Sequence, residues 1–195
     1  MTHHPPTAGL LLAAGAGRRY GEPKALRFLG AAIDTLAAGG CDPVIVVLGA
    51  AAAAARRRTA GRPVPNGARL AVVVNHDWSR GMASSLRVGL RVAAELSASV
   101  VCVHLVDLPG VTPAAVRRIL STVPNACPTS VLARATYQGE LGHPVLLGAD
   151  HWAGVGRSAR ADRGAHEYLR RHDAVLGRVE CGDVADGADV DFHPS

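Results

Sequence analysis

The sixteen residues GLLLAAGAGRRYGEPK, Gly9 to Lys24, carry the pattern on which the predicted fold depends. The apolar run Gly9–Ala14 is typical of a buried strand. Three glycines follow it, and glycines let the backbone turn tightly and bring its N–H groups against an anion. Arg18, Arg19 and Lys24 add three positive charges, which suit a triphosphate better than a neutral ligand. The sequence therefore predicts a phosphate-binding turn directly after the first strand, with a purely structural turn as the alternative.

The spacing of this turn excludes two common nucleotide-binding motifs. The GK[ST] ending of a Walker loop is absent, and the glycines follow GxGxxxG rather than the dinucleotide spacing GxGxxG. Pro23 would also interrupt the helix that must follow a dinucleotide turn. Lys24 is the only lysine among 21 basic residues, and a compact ammonium is not interchangeable with a guanidinium beside a phosphate.

Apolar runs alternate with helix-compatible segments along the first two thirds of the chain. This alternation predicts an α/β fold with a doubly wound, mostly parallel sheet covered by helices on both faces. The predicted strands are Gly9–Ala14, Pro43–Gly49, Arg69–Asn75 and Ser99–Asp107, and the predicted helices are Ala31–Ala38, Ala50–Arg58, Ala83–Leu96 and Pro113–Ser121, the last one starting at a Thr112-Pro113 cap.

The last third of the chain departs from the parallel pattern. Val131–Tyr137 and Pro144–Leu147 predict an antiparallel strand pair, Ala165–Arg171 a short helix and Val175–Cys181 a last strand. No linker is long enough to divide the chain, so we expect one domain over residues 8–191, with flexible termini at 1–7 and 192–195.

Composition limits the classes of function. An apolar share of 48% supports a core and excludes general disorder, and the seven aromatic residues are too few for a single-strand stacking platform. The net charge of +5 fits a small anionic substrate, and nucleic-acid binding is not predicted. The four cysteines form no CxxC pair, which argues against a zinc ribbon. No secretory signal or membrane-spanning run is present, so we expect a cytoplasmic protein without membrane association.

The pattern LAAGxGxRxGxPK, read from Leu12 to Lys24, resembles the signature of the nucleotidyltransferases that attach a nucleotide to molybdopterin. Its LAAG start is similar to the cytidylyltransferase branch of that family. Four further segments match the family in order, namely Val46–Gly49, Asn75–Trp78 with Gly81–Leu90, Asp107–Pro109, and Gly142–Pro144 with Asp162–Gly164.

The resemblance implies a Rossmann-like nucleotidyltransferase fold and a Mg²⁺-dependent reaction. The CMP moiety of CTP would pass to a phosphorylated acceptor, molybdopterin, with release of pyrophosphate, and a molybdoenzyme could receive the product. The attacking phosphate is already ionised at pH 7, so the reaction needs positioning and charge neutralisation rather than a strong base.

The resemblance also assigns roles to residues. Arg19 and Lys24 would clamp the triphosphate, and Asp107 would be the catalytic magnesium ligand. The nucleotide would contact Leu12, Ala13, Ala14, Gly15, Gly17, Arg18, Gly81 and Ser85, the acceptor would contact His143 and Pro144, and Asp191, with Asp189, could supply a second metal carboxylate.

Each assignment has a simpler alternative. Asp107 could cap a turn before Pro109, and Ser84 and Ser85 could cap a helix. His143 could be an ordinary surface residue, and the acidic tail could be solvated.

Rival functions also remain open at this point. The acceptor could be a sugar phosphate or phospholactate. A short segment after Lys24 and a tail that lacks the family's TPED sequence would also fit a catalytically degenerate nucleotide-binding module that delivers a cofactor. A dinucleotide dehydrogenase would require glycine spacing that this chain lacks.

Overall fold

Seven strands form one sheet in the order β3-β2-β1-β4-β6-β5-β7 in the computed structural model, which describes residues 7–190. The strands are β1 Thr7–Ala13, β2 Val44–Leu48, β3 Leu70–Val74, β4 Val100–Leu105, β5 Leu132–Tyr137, β6 Glu140–Gly148 and β7 Gly177–Glu180.

The first four strands are parallel, and β1 lies between β2 and β4. Leu11 of β1 is in register with Val46 of β2 on one side and His104 of β4 on the other. Strand β6 runs antiparallel to both β4 and β5, and β7 is parallel to β5. The predicted mostly parallel sheet with an antiparallel pair is confirmed.

Helices cover both faces of the sheet, as expected for strands that are buried on two sides. The apolar layer on one face includes residues of α1, α2 and α4, and the layer on the other includes residues of α3, α5 and α6. The helices are α1 Ala25–Ala38, α2 Ala52–Thr59, α3 Met82–Glu95, α4 Pro113–Leu120, α5 Ala149–Ser158 and α6 His166–Arg171.

Two elements differ from their predicted bounds by more than two residues. Helix α1 begins at Ala25 rather than Ala31, because Pro23 precedes the helix instead of lying inside it, where it would break the hydrogen bonding. Strand β6 begins at Glu140, and only Gln138 and Gly139, both with positive φ, form the hairpin turn before it. Helix α5 was not predicted. Thr112 caps α4 as predicted, accepting a hydrogen bond from Ala115 N.

None of the helices within residues 7–190 has the length and apolar character needed to cross a membrane.

Candidate active site

The candidate site lies at the carboxyl ends of β1 and β4, which are adjacent in the sheet. This edge is where ligands bind in open α/β sheets. A cavity of about 340 Å³ opens there. Its lining includes ten of the predicted residues, namely Leu12, Ala14, Gly15, Gly17, Arg18, Arg19, Lys24, Gly81, Ser85 and Asp107.

The glycine turn has a backbone conformation that its sequence requires. Gly17 has φ +63°, and a Cβ atom there would lie 1.8 Å from the backbone oxygen of Glu22. The N–H of Gly21 donates to the oxygen of Gly17 at 2.9 Å and closes the turn. A side chain at position 17 would force this segment to move, so glycine is a steric requirement there.

Lys24 and Asp107 meet across the cavity although they are 83 residues apart in the chain. Nζ of Lys24 donates to Oδ2 of Asp107 at 2.9 Å, and the two side chains are 12% and 27% exposed. Lys24 precedes α1 directly, and Asp107 follows β4 by two residues. The fold thus brings the ammonium of Lys24 and the carboxylate of Asp107 together at the carboxyl ends of the strands. The side chain of Asp107 accepts from Lys24, and the residue that caps α4 is Thr112.

The start of α3 forms the opposite wall of this cavity. Asn75 at the end of β3 donates through Nδ2 to the hydroxyl oxygens of Ser84 and Ser85, at 2.8 and 3.0 Å. The two serines therefore lie within the first turn of α3 and are held by Asn75. The helix end itself is capped from elsewhere, because Oδ1 of Asp162 accepts a hydrogen bond from Met82 N at 3.2 Å.

A second cavity, of about 650 Å³, adjoins the first over β4, β6 and β5. The two cavities share four lining residues, which are Leu12, Met82, Leu105 and Asp162. His143 lines the second cavity, where its Nδ1 lies 3.3 Å from the oxygen of Val103. Since a carbonyl only accepts, Nδ1 carries the proton in this contact.

Burial keeps two histidines of this region neutral. It lowers the pKa of His143 to about 4, with the charge of Arg134 acting in the same direction. On the opposite face of β4, burial lowers the pKa of His104 to about 3. Nδ1 of His104 has no hydrogen-bond partner among the described residues. At neutral pH both imidazoles are uncharged, so each has one ring nitrogen able to accept a hydrogen bond. Neither ring adds a positive charge.

Two of the residues predicted to contact the nucleotide or the acceptor, both within the described part of the chain, line neither cavity. Ala13 is buried in β1, and Pro144 is buried in β6 beside His143. Asp191 lies outside the described residues, so its proposed metal role stays a prediction. Asp189 lines neither of the two cavities.

Sequence reasoning gave no role to Asp162 and did not consider Arg134. Asp162 stood in a matched segment without a function, and it proves to border both cavities. Arg134 lines the second cavity, but in the sequence it is an ordinary polar residue of an alternating strand.

Comparison with known proteins places this site in a class of enzymes. The family model "MobA-like NTP transferase domain" matches residues 9–175, which is most of the chain. The chain belongs to this family of nucleotidyltransferases. The resemblance to molybdopterin nucleotidyltransferases is thereby confirmed at the level of the family.

A curated relative is 36% identical over 97% of this chain and 94% of its own length, and it is named nicotine blue oxidoreductase, from Paenarthrobacter nicotinovorans. Among solved structures, Rv0371c from Mycobacterium tuberculosis H37Rv aligns with a TM-score of 0.74 and 29% identity, covering 98% of this chain and 95% of that one. A structure of Rv0371C from the same organism in complex with manganese aligns with a TM-score of 0.69 and 26% identity, over 95% of this chain and 94% of that one.

A nucleotidyl transferase from Methanothermobacter thermautotroptrophicus has the same fold. It aligns with a TM-score of 0.74 at 23% identity, over 90% of this chain and 87% of that chain. The Rossmann-like nucleotidyltransferase fold is thus confirmed.

Proposed function

We propose that the protein transfers the CMP moiety of CTP to a phosphorylated acceptor, molybdopterin, and releases pyrophosphate with Mg²⁺ as the metal. The observation that carries this proposal is the meeting of Lys24 and Asp107 at 2.9 Å beside the glycine turn, in one cavity. Membership in a nucleotidyltransferase family supports the reaction type.

Each part of the cavity suits one part of the reaction. The backbone of the turn around Gly15 and Gly17 would cradle the triphosphate, with Arg18 and Arg19 beside it. Lys24 would exchange its contact with Asp107 for a contact with the phosphates, and there it would stabilise the charge that develops on pyrophosphate. Ser85, held by Asn75, offers a fixed hydroxyl to the nucleotide.

The residues present fit a magnesium ion. No group of three or more His, Cys, Asp or Glu side chains suited to a metal occurs within residues 7–190. Mg²⁺ is commonly bound by one or two carboxylates plus substrate phosphates, so Asp107 alone is chemically adequate. A bound Mg²⁺ would neutralise phosphate charge, and the manganese complex of Rv0371C supports a divalent metal in this family.

The acceptor would enter through the second cavity, because that cavity shares the wall of Leu12, Met82 and Leu105 with the nucleotide cavity. His143 would face it with a neutral ring. A sugar phosphate or phospholactate remains the alternative acceptor. Delivery of the product to a molybdoenzyme belongs to the same proposal.

The decisive experiment combines nucleotide binding with turnover. Calorimetry with CTP, GTP and ATP in the presence of Mg²⁺ should show preferential binding of CTP. Pyrophosphate release should then require both Mg²⁺ and an acceptor from a panel of molybdopterin, sugar phosphates and phospholactate. Preference for GTP would contradict the choice of base. Nucleotide binding without single-turnover pyrophosphate release would instead identify a degenerate binding or delivery module.

One comparison favours a second candidate. The relative named nicotine blue oxidoreductase is 36% identical over nearly the whole chain, so an oxidoreductase activity is worth testing. The glycine spacing of the turn argues against a nicotinamide cofactor at that position. Acceptor-dependent oxidation of NADH or NADPH, with no pyrophosphate release from any nucleotide, would support this candidate over the transferase.

A further inference from the structure

Arg134 on β5 carries a positive charge that the described part of the chain does not balance. Its Nε donates to the backbone oxygen of Gly142 at 2.8 Å, but no carboxylate within residues 7–190 forms an ion pair with it. The side chain is half-buried, and burial lowers its pKa. A guanidinium nevertheless stays protonated in proteins, so the charge persists. A partly desolvated cation without a counter-ion is costly unless a ligand supplies one.

The register of the sheet shows which way Arg134 faces. Arg134 is paired with Val145, as Leu132 is paired with Leu147. Side chains of directly paired residues lie on the same face of a sheet. Val145 and Leu147 line the second cavity, and Arg134 lines it too. The unbalanced charge therefore faces the cavity.

Apolar side chains form about half of the rest of this cavity, and Arg163, Arg170 and His166 also line it. Its walls include Leu86, Val103 and Leu169 besides the two residues of β6. Two carboxylates also line it, but both have partners. Asp162 accepts the hydrogen bond from Met82 N, and Glu167 forms ion pairs with Arg170 and Arg171. Neither one forms an ion pair with Arg134.

We propose that Arg134 is a specificity residue of the second cavity, which binds an apolar organic molecule through an anionic group that contacts Arg134. Identifying this molecule as the acceptor rests on the proposed function. Under that function, an anionic group of the acceptor contacts Arg134.

Strand β6 lies between β4 and β5, so Arg134 is on a strand about 10 Å across the sheet from β4, which Asp107 follows. The two cavities adjoin at Leu12, Met82 and Leu105. A molecule in the second cavity can therefore contact Arg134 and extend across this shared wall toward the nucleotide cavity.

The test uses two fluorescent dyes that differ in charge. 8-Anilinonaphthalene-1-sulfonate has an apolar ring system and a sulfonate, and N-phenyl-1-naphthylamine has the same rings without the anion. Both are titrated into the full-length wild type and into Arg134→Gln, Arg134→Lys and Arg157→Gln. Arg157 is an exposed residue of α5 outside both cavities, so its variant is the matched loss of charge.

We expect Arg134→Gln to weaken binding of the sulfonate dye about tenfold or more and to leave the uncharged dye unchanged. Arg134→Lys should restore part of the difference, and Arg157→Gln should change neither dye. Retained binding of the uncharged dye shows that the variant is folded. Equal weakening of both dyes would overturn the proposal, since Arg134 would then only support strand β6 through its hydrogen bond to Gly142. No change with either dye, or no binding of the sulfonate by the wild type, would overturn it as well.

The dye titrations need no turnover, so they separate this inference from the proposed function. If the wild type releases no pyrophosphate while the dyes behave as expected, the proposed function alone fails. In an active enzyme, Arg134→Gln should raise the KM for the acceptor and leave the KM for CTP unchanged. An unchanged KM for the acceptor would contradict the identification of the occupant.

Discussion

The ion pair of Lys24 and Asp107 is the feature of single residues from which most of the proposed chemistry follows. Lys24 follows the turn after β1, and Asp107 follows β4. The two side chains meet because β1 and β4 are neighbours in the sheet. Both are mostly buried, which strengthens their interaction relative to an exposed pair. Lys24 is the only lysine of the chain, so no second ammonium can take its place.

Replacing either partner should therefore abolish most of the activity. We expect Lys24→Ala and Asp107→Ala each to reduce pyrophosphate formation roughly 100-fold or more, as removal of charge-stabilising groups does. The matched controls are Arg69→Ala and Asp42→Ala, which break a surface ion pair with side chains 67% and 51% exposed. Near-normal turnover of both active-site variants would refute the roles given to these residues.

The buried imidazole of His104 makes stability depend on pH. Its pKa is about 3 in the folded protein against an ordinary value of 6.5, so below pH 6.5 the unfolded chain binds a proton that the folded chain does not. The free energy of unfolding should fall as the pH drops from 6.5 towards 3, by up to about 1.4 kcal/mol per pH unit from this group.

Urea unfolding at pH 7.5 and pH 5.0 measures this dependence. His104→Leu should lose less stability between the two pH values than the wild type does. His76→Gln, which removes an exposed imidazole, is the control and should follow the wild type. An identical loss of stability in His104→Leu and the wild type would contradict the assignment.

Among the structural elements, the glycine turn and the start of α3 define the nucleotide cavity. The turn depends on Gly17, and α3 depends on a carboxylate that comes from another part of the chain. Asp162 lies 80 residues beyond Met82, yet it holds the first backbone N–H of the helix. The cavity is thus assembled by contacts between distant segments as well as by the strands.

Gly17→Ala tests the turn. Alanine at a positive φ costs about 1–2 kcal/mol at any such position, but at position 17 its Cβ would also collide with the oxygen of Glu22. We expect CTP affinity, measured by calorimetry, to fall at least tenfold. Gly61→Ala is a close control, because Gly61 has φ +67° and nothing lies within 4 Å of its Cβ position. Equal CTP affinities of the two variants would count against the role of the turn.

Asp162→Ala tests the cap of α3. Loss of the side chain leaves a helix N–H without its acceptor and removes a negative charge from the positive end of the helix dipole. The free energy of unfolding should drop by about 1 kcal/mol in urea titrations. Asp173→Ala, which removes the partner of Arg178 in an exposed pair, should cost less. A larger loss in the Asp173 variant would show that the cap contributes little.

At the scale of the whole molecule, the order of apolar runs and turns was enough to predict the sheet and the location of the site. Buried parallel strands show continuous apolar runs in the sequence. In a doubly wound sheet the carboxyl ends of these strands lie at one edge, whatever residues the loops contain. The turn residues and Asp107 were therefore predictable. Their roles in catalysis stay predictions until the variants are measured.

The sequence was less informative where tertiary contacts decide the outcome. Helix α5 contains Gly154 and Gly156, and only Val155 is fully buried, so it lacks a clear apolar stripe. Gly154 is there because Tyr168 packs against it, with Cε2 only 2.4 Å from where a Cβ would be. The second cavity could not be predicted from the sequence either. Its apolar residues come from five separate elements, and in each element they have the pattern of ordinary core residues.

The contact between Lys24 and Asp107 has a consequence for the order in which ligands enter. Before any substrate arrives, Asp107 already contacts a cation, so a bare divalent ion would have to displace the ammonium of Lys24 from it. A metal–nucleotide chelate brings a replacement for each partner in the same encounter, phosphate oxygens for Lys24 and a divalent charge for Asp107. We therefore expect the metal and the nucleotide to bind together, and the metal alone to bind weakly.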